Sequence, residues 1–345
     1  MAYYTRYEKL QKYYKDGTPY EPAEYKKGAN LGVAEYSSLE ECQGQPVPAP
    51  GNYTCCIKWE ANKDLNFNFN NNAITTKENP WCTKEKVSGL DFHQTNSKIV
   101  SLDITVDETN SIASLNEIFL NLLYLESVKL NIPKAASLSS IAHMFNYSSA
   151  LTSINFINFD TSNVTDAWDV FSDCSSLTSL DVSNWNTSNF KYAGNMFRGC
   201  SSLTSLDLSN WDTSNLKYAS GMFSSCTDLT SLNVSNWNTS NLEDADEIFS
   251  GCRSLTSLDL SNWDVSKVKY LTSAFAYCVS LTSLDLSNWD VSNCQHFGNM
   301  FYNSDKLTHI KCKQAFKDWC ITHQKEISLP DALREGGTGT WTIVN

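Results

Sequence analysis

SLTSLDLSNWD at 202–212 recurs unchanged at 254–264 and 280–290. SLTSLDVSNWN at 176–186 and DLTSLNVSNWN at 228–238 complete the series, every copy 26 residues from the next. Trp185, Trp211, Trp237, Trp263 and Trp289 mark the beat, and Phe159 holds the same place one step earlier. A fixed period of roughly 20–50 residues signals stacked supersecondary units, none of which buries its apolar face alone.

The apolar frame extends beyond the obvious copies. Its first slot is filled by Ile99, Leu125, Leu151, Leu177, Leu203, Leu229, Leu255, Leu281 and Leu307. A second slot holds Phe119, Phe145, Phe171, Phe197, Phe223, Phe249, Phe275 and Phe301. Within one unit Leu203, Leu206 and Leu208 read L-x-x-L-x-L, whose last two positions alternate as in a strand. Leu216, Ala219, Met222 and Phe223 then follow at spacings of three, three and one, which predicts about two turns of helix capped by Ser214 or Asn215. The expected architecture is an α/β solenoid: nine short parallel strands with helical returns over 99–312. Small caps are expected at 53–98 and 313–345, the latter with a helix near Gln314–His323 and a last strand at Thr340–Val344.

The L-x-x-L-x-L frame looks like a leucine-rich repeat. LTSLDLSNWDTSN followed by MF-x-x-C resembles the 26-residue BspA-like leucine-rich repeats of bacterial and protist surface proteins. The resemblance covers about 99–312. It implies a solenoid and, for many members, adhesion or recognition; it implies no enzymatic activity.

The chain has 345 residues, a formal charge of -12 and a pI near 4.9. That charge argues against nucleic acid, which attracts a basic stripe, and against electrostatic binding to an anionic membrane. No apolar run is long enough to insert as a membrane-spanning helix. The opening MAYYTRYEKLQKYYKDG shows neither the apolar core nor the cleavage site of a secretion signal.

Residues 1–45 have another texture. Tyr3, Tyr4, Tyr7, Tyr13, Tyr14, Tyr20 and Tyr25 are interspersed with Lys and Glu, and aliphatic residues are few. Tyr suits interfaces because its body is apolar and its tip polar. The segment is expected to dock on a partner, with 46–52 as a Pro-rich linker. Its opening also resembles N-terminal segments of virion proteins from phages of gut Bacteroidetes.

Cys174, Cys200, Cys226, Cys252 and Cys278 follow the Phe slot by three and are expected inside as reduced apolar fillers. His309, Cys312, Cys320 and His323 are zinc-type ligands at a spacing unlike the standard fingers. Unlinked thiols are the expectation there, with no metal and no cofactor. Asp181, Asp207, Asp259 and Asp285, with Asn233 in register, occupy an outward strand position. With Thr204, Ser205 and Ser209 they form the candidate ligand-binding face; the competing reading is a solvated column whose Asp residues are bonded by neighbouring Ser. No nucleotide, EF-hand or metalloprotease motif occurs, and no catalytic residue is assigned.

Two functions follow from this frame. One is a non-enzymatic phage virion appendage on the tail or head. It docks on other virion proteins through 1–45 and presents the solenoid to a host surface glycan or protein. The resemblance to phage proteins implies a homo-oligomer for that form, with a trimer among the options. The alternative is a cellular BspA-like adhesin at the cell surface.

Overall fold

The computed structural model describes the backbone of residues 54–60, 66–69, 86–88 and 101–106, and residues 114–132 and 138–344 in full. Strand β1 (Thr54–Glu60) pairs antiparallel with β2 (Asn66–Phe69), which pairs with β3 (Lys86–Ser88). On its other side β1 runs parallel to β4 (Ser101–Val106), and β5 (Ser127–Asn131) and β6 (Ser153–Ile157) follow at 26-residue steps. Further along come β7 (Ser205–Asp207), β8 (Ser231–Asn233), β9 (Ser257–Asp259), β10 (Ser283–Leu286), β11 (His309–Lys313) and β12 (Thr340–Val344). The described residues form a parallel β-solenoid in which each 26-residue unit is one coil.

Nine continuous strands do not form. The pairing falls into sheets β3-β2-β1-β4-β5-β6, β7-β8 and β12-β11-β10-β9, and the slot at 179–181 is not a strand. Asp181 Oδ1 accepts the Ser183 amide at 3.1 Å and the Ser183 hydroxyl at 2.7 Å. Asp207, Asn233 and Asp259 accept the equivalent Ser amide within coils that do pair, so this contact does not by itself break the ladder. In β7 and β9 the strand shrinks to Ser-Leu-Asp, with Leu206 and Leu258 buried between exposed neighbours.

The helical returns are also corrected. The only α-helix among the described residues is α1 (Gln314–Thr322), beyond the last repeat. In the returns, alternate amides donate to the next coil instead of back along their own. Gly221, Phe223 and Ser225 donate to the carbonyls of Asp246, Ile248 and Ser250 at 2.7, 2.9 and 2.7 Å. A helix would need every such amide bonded within its own segment. Two positions per coil adopt left-handed φ, as at Asn195 (54°) and Gly199 (68°), Gly221 (62°) and Ser225 (62°), and Glu247 (54°) and Gly251 (73°). These residues cannot propagate a right-handed helix. The spacing of three, three and one therefore records which side chains point inward, and Leu216, Ala219, Met222 and Phe223 are all buried.

The core is a set of columns. Phe171, Phe197, Phe223 and Phe249 stack at centroid spacings of 5.7 Å with near-parallel rings. Trp211, Trp237 and Trp263 form a second stack at 6.3 and 5.8 Å. Burial of each such ring contributes roughly 1.5–3 kcal/mol, and offset stacking adds about 0.5–1.5 kcal/mol per pair. After the last coil, α1 buries Phe316 and Cys320, and β12 adds to β11 in parallel register.

Candidate functional site

The strand face carries the predicted column. Asp181, Asp207, Asn233 and Asp259 are exposed, while Asp285 is partly covered by Lys311, whose Nζ lies 2.7 Å from its carboxylate. Each carboxylate or amide is held locally. Asp207 Oδ1 accepts the Ser209 amide at 3.0 Å, Asn233 Oδ1 accepts that of Ser235 at 3.3 Å, and Asp259 Oδ1 accepts that of Ser261 at 2.9 Å. The Ser183 hydroxyl and amide hold Asp181 below the usual carboxylate range, and the Ser209 amide and hydroxyl do so for Asp207. Burial opposes ionisation of Asp285, but Lys311 and Ser287 bring it down. Thr204 and Ser205 are exposed at the start of β7, and the Thr204 carbonyl accepts the Thr230 amide at 3.0 Å. Ser209 is exposed at the strand's end.

The face is not uniform. Where the 179–181 slot leaves the ladder, β6 becomes a sheet edge and its Ile154 and Phe156 are only partly buried. A concavity of about 530 Å³ opens there. Phe156, Phe159 and Trp185 line its apolar side, and the Phe156 ring meets Trp185 edge-on at 5.2 Å. Asn155, Asn158, Asp160, Asp181 and Asn184 supply polar groups. Asn158 sits at φ 50° and donates its amide to Asn131 Oδ1 at 3.1 Å. The indole Nε1 of the buried Trp185 has no hydrogen-bond partner. The arrangement can bind a polyhydroxylated ligand: aromatic carbon beside amide and carboxylate groups matches a sugar's CH face and hydroxyls. Asp181 alone of the candidate face residues lies in it. The sequence did not reveal the concavity, although Phe156 and Ile157 in place of the usual Leu and Ser mark the irregular coil.

Carboxylates with the opposite shift lie elsewhere. Burial raises Asp244 and Asp246, whose Oδ1 atoms accept the amides of Asp246 at 3.0 Å and Thr272 at 2.6 Å.

The cysteines are more than fillers. Cys174, Cys200, Cys226, Cys252 and Cys278 are buried and free, and each thiol donates to a Phe carbonyl 29 residues earlier at 3.1–3.2 Å. Ser148 and Ser304 occupy the same register and donate to Phe119 and Phe275 at 2.8 and 2.6 Å. Cys312 and Cys320 are likewise free and buried in the cap. His323 Nδ1 lies 2.9 Å from the Trp319 carbonyl and His309 Nε2 lies 3.3 Å from Thr342. Among the described residues, no group of three or more His, Cys, Asp or Glu side chains is placed to hold a metal ion. The Tyr residues proposed for docking lie outside the described residues.

Three overlapping segments, 87–179, 113–232 and 220–328, match the family described as "Mycoplasma protein of unknown function, DUF285". Together they run from 87 to 328, more than two thirds of the chain. The chain belongs to this family. The matches are compatible with the resemblance to BspA-like repeats. The N-terminal likeness to phage proteins lies outside the matched segments and the described residues. No curated protein matches the chain.

Proposed function

We propose that this DUF285 protein is a non-enzymatic surface recognition protein whose solenoid binds a host surface glycan along its strand face. The observation that carries the reading is the break in the ladder at 179–181, where Phe156, Phe159 and Trp185 meet Asn155, Asn158 and Asp181 in one concavity. A non-enzymatic role is supported by the like surroundings of Asp181 and Asp207 on the face. Acid–base hydrolysis needs two carboxyl groups in contrasting environments. Asp181 and Asp207 are instead held down by the same kind of Ser contact.

Binding of the full chain to a glycan array, followed by Asp181→Ala and Phe156→Ser, tests the reading. Retention of a neutral glycan that both variants weaken at least tenfold supports it. Binding only to proteins, or glycan binding indifferent to both changes, sinks it.

The carrier has two forms. The Tyr-rich 1–45 favours a phage virion appendage docked through that segment. Membership of a family described from Mycoplasma favours a cell-surface adhesin. Mass spectrometry of purified particles and of cell envelopes separates them. Fixed stoichiometry in particles, lost on deletion of 1–45, supports the virion form; presence on envelopes alone supports the adhesin.

A further inference from the structure

The return side of the coils carries a second concavity, of about 490 Å³. Its floor is made by small residues in consecutive coils, Ser224, Ser225, Ser250 and Gly251. The floor is open because Ser225 at φ 62° and Gly251 at φ 73° carry a small side chain or none at left-handed positions. One coil beyond Gly251 its column holds Tyr277, and two coils beyond Ser250 the neighbouring column holds Tyr302. These rings meet edge-to-face at 5.3 Å and form an exposed aromatic wall.

The opposite wall is Arg198. Its guanidinium reaches over the intervening coil to Glu247, with Nη1 to Oε2 at 3.3 Å. The pair fixes the guanidinium at the groove's rim. Arg253 lines the same space, is exposed and forms no ion pair among the described residues. Arginine is scarce in this chain: Arg6, Arg198, Arg253 and Arg334 are all it has, against a net charge of -12. Two of them converge on one groove.

We propose that this groove binds the carboxylate-bearing sugar of an acidic glycan. Arg253 takes the carboxylate in the forked geometry that guanidinium favours. Tyr302 and Tyr277 take the apolar ring face, and Asn299, Ser225 and Glu247 take hydroxyls. The volume suits one or two sugar rings, within the roughly 300–1,000 Å³ usual for small-ligand sites. The proposal rests on the recognition reading above but uses a different side of the solenoid.

Titration calorimetry of the full chain with 3′-sialyllactose, trigalacturonate and lactose tests it. The expected result is binding of at least one acidic sugar and not of lactose, weakened at least tenfold by Arg253→Gln and by Tyr302→Ser. Both residues are exposed, so both variants should keep the wild-type melting curve. Which acidic sugar binds identifies sialic or uronic acid as the source. Absence of acidic-sugar binding, equal lactose binding, preference for an acidic peptide, or indifference to Arg253→Gln overturns the groove. Glycan-array binding lost in Asp181→Ala but retained in Arg253→Gln would leave the strand-face reading standing without it.

Discussion

The Cys226 thiol donates a 3.1 Å hydrogen bond to the Phe197 carbonyl of the preceding coil. The same carbonyl accepts the Cys200 amide at 3.1 Å within its own coil. One buried oxygen therefore ties two coils together. Replacement by Ser should be tolerated, since Ser148 and Ser304 already do this work. Cys226→Ala should cost about 1–2 kcal/mol more than Cys226→Ser, because it removes a buried donor. Urea unfolding curves measure the difference; equal stability of the two variants would refute the role of the donor.

The same thiols predict an alkaline limit. Burial pushes Cys226 and Cys278 up to about 12 from an ordinary 9.0. Above pH 9 the unfolded chain releases thiol protons that the folded chain retains. The unfolded state then binds fewer protons, so stability falls as pH rises from about 9 towards about 12. The urea midpoint should drop over that range, and less steeply in a Cys226→Ser, Cys278→Ser double variant. Parallel slopes in the two proteins would count against it.

Acid acts on the strand face and its adjoining turn with the opposite sign. Ser contacts hold Asp181, Asp207, Asp212 and Asp264 below their ordinary range. Their contribution is present above the ordinary carboxylate pKa and is lost as pH falls through the lowered values. Asn233 shows that an amide accepts the same Ser amide without a charge. A variant with all four changed to Asn should therefore melt less steeply below about pH 4 than the parent. An unchanged acid profile in circular dichroism would refute the assignment.

The left-handed columns make a positional prediction. Gly221 sits at φ 62°, and a β-carbon there would come 2.2 Å from Asn195 Oδ1. Gly221→Ala should cost roughly 1–2 kcal/mol from conformation alone, before Asn195 is displaced. Thermal melting checks this, and a rise in Tm would mean that the position does not require left-handed backbone.

Leu206 tests the inward face. It is buried between Asp207 and Ser205, and Leu232 pairs with it on the neighbouring strand. Leu206→Asp places an unpaired charge in the stack and should destabilise by more than about 3 kcal/mol. An unaltered melting curve would overturn the orientation of β7.

The period, the inward Leu and Phe slots and the outward Asp column were legible because burial selects side chains by position and the repeat shows each position several times. The returns were misread for a physical reason. Leu216, Ala219, Met222 and Phe223 point inward from a backbone alternating between right- and left-handed turns, and burial pattern alone does not distinguish that from a helix. The partners of Thr213 and Asn215 were hidden as well. Thr213 donates to the Asn238 carbonyl at 3.1 Å and Asn215 to the Ser188 carbonyl at 2.7 Å, bonds that cross coils in opposite directions. Asn215 is thus a tie between coils and not a helix cap. Neither concavity was legible, because each arises where one coil departs from its neighbours.

Those crossings recur at sequence separations set by the repeat, as in Thr187 to Asp212, Thr213 to Asn238 and Thr239 to Asp264. Loss or gain of one whole coil would leave every such partner in its place. The unit is also written three times with the same eleven residues. Near-identical stretches of this kind are natural substrates for unequal recombination. The length of the solenoid then becomes a heritable quantity, changed in whole-coil increments without refitting the interior.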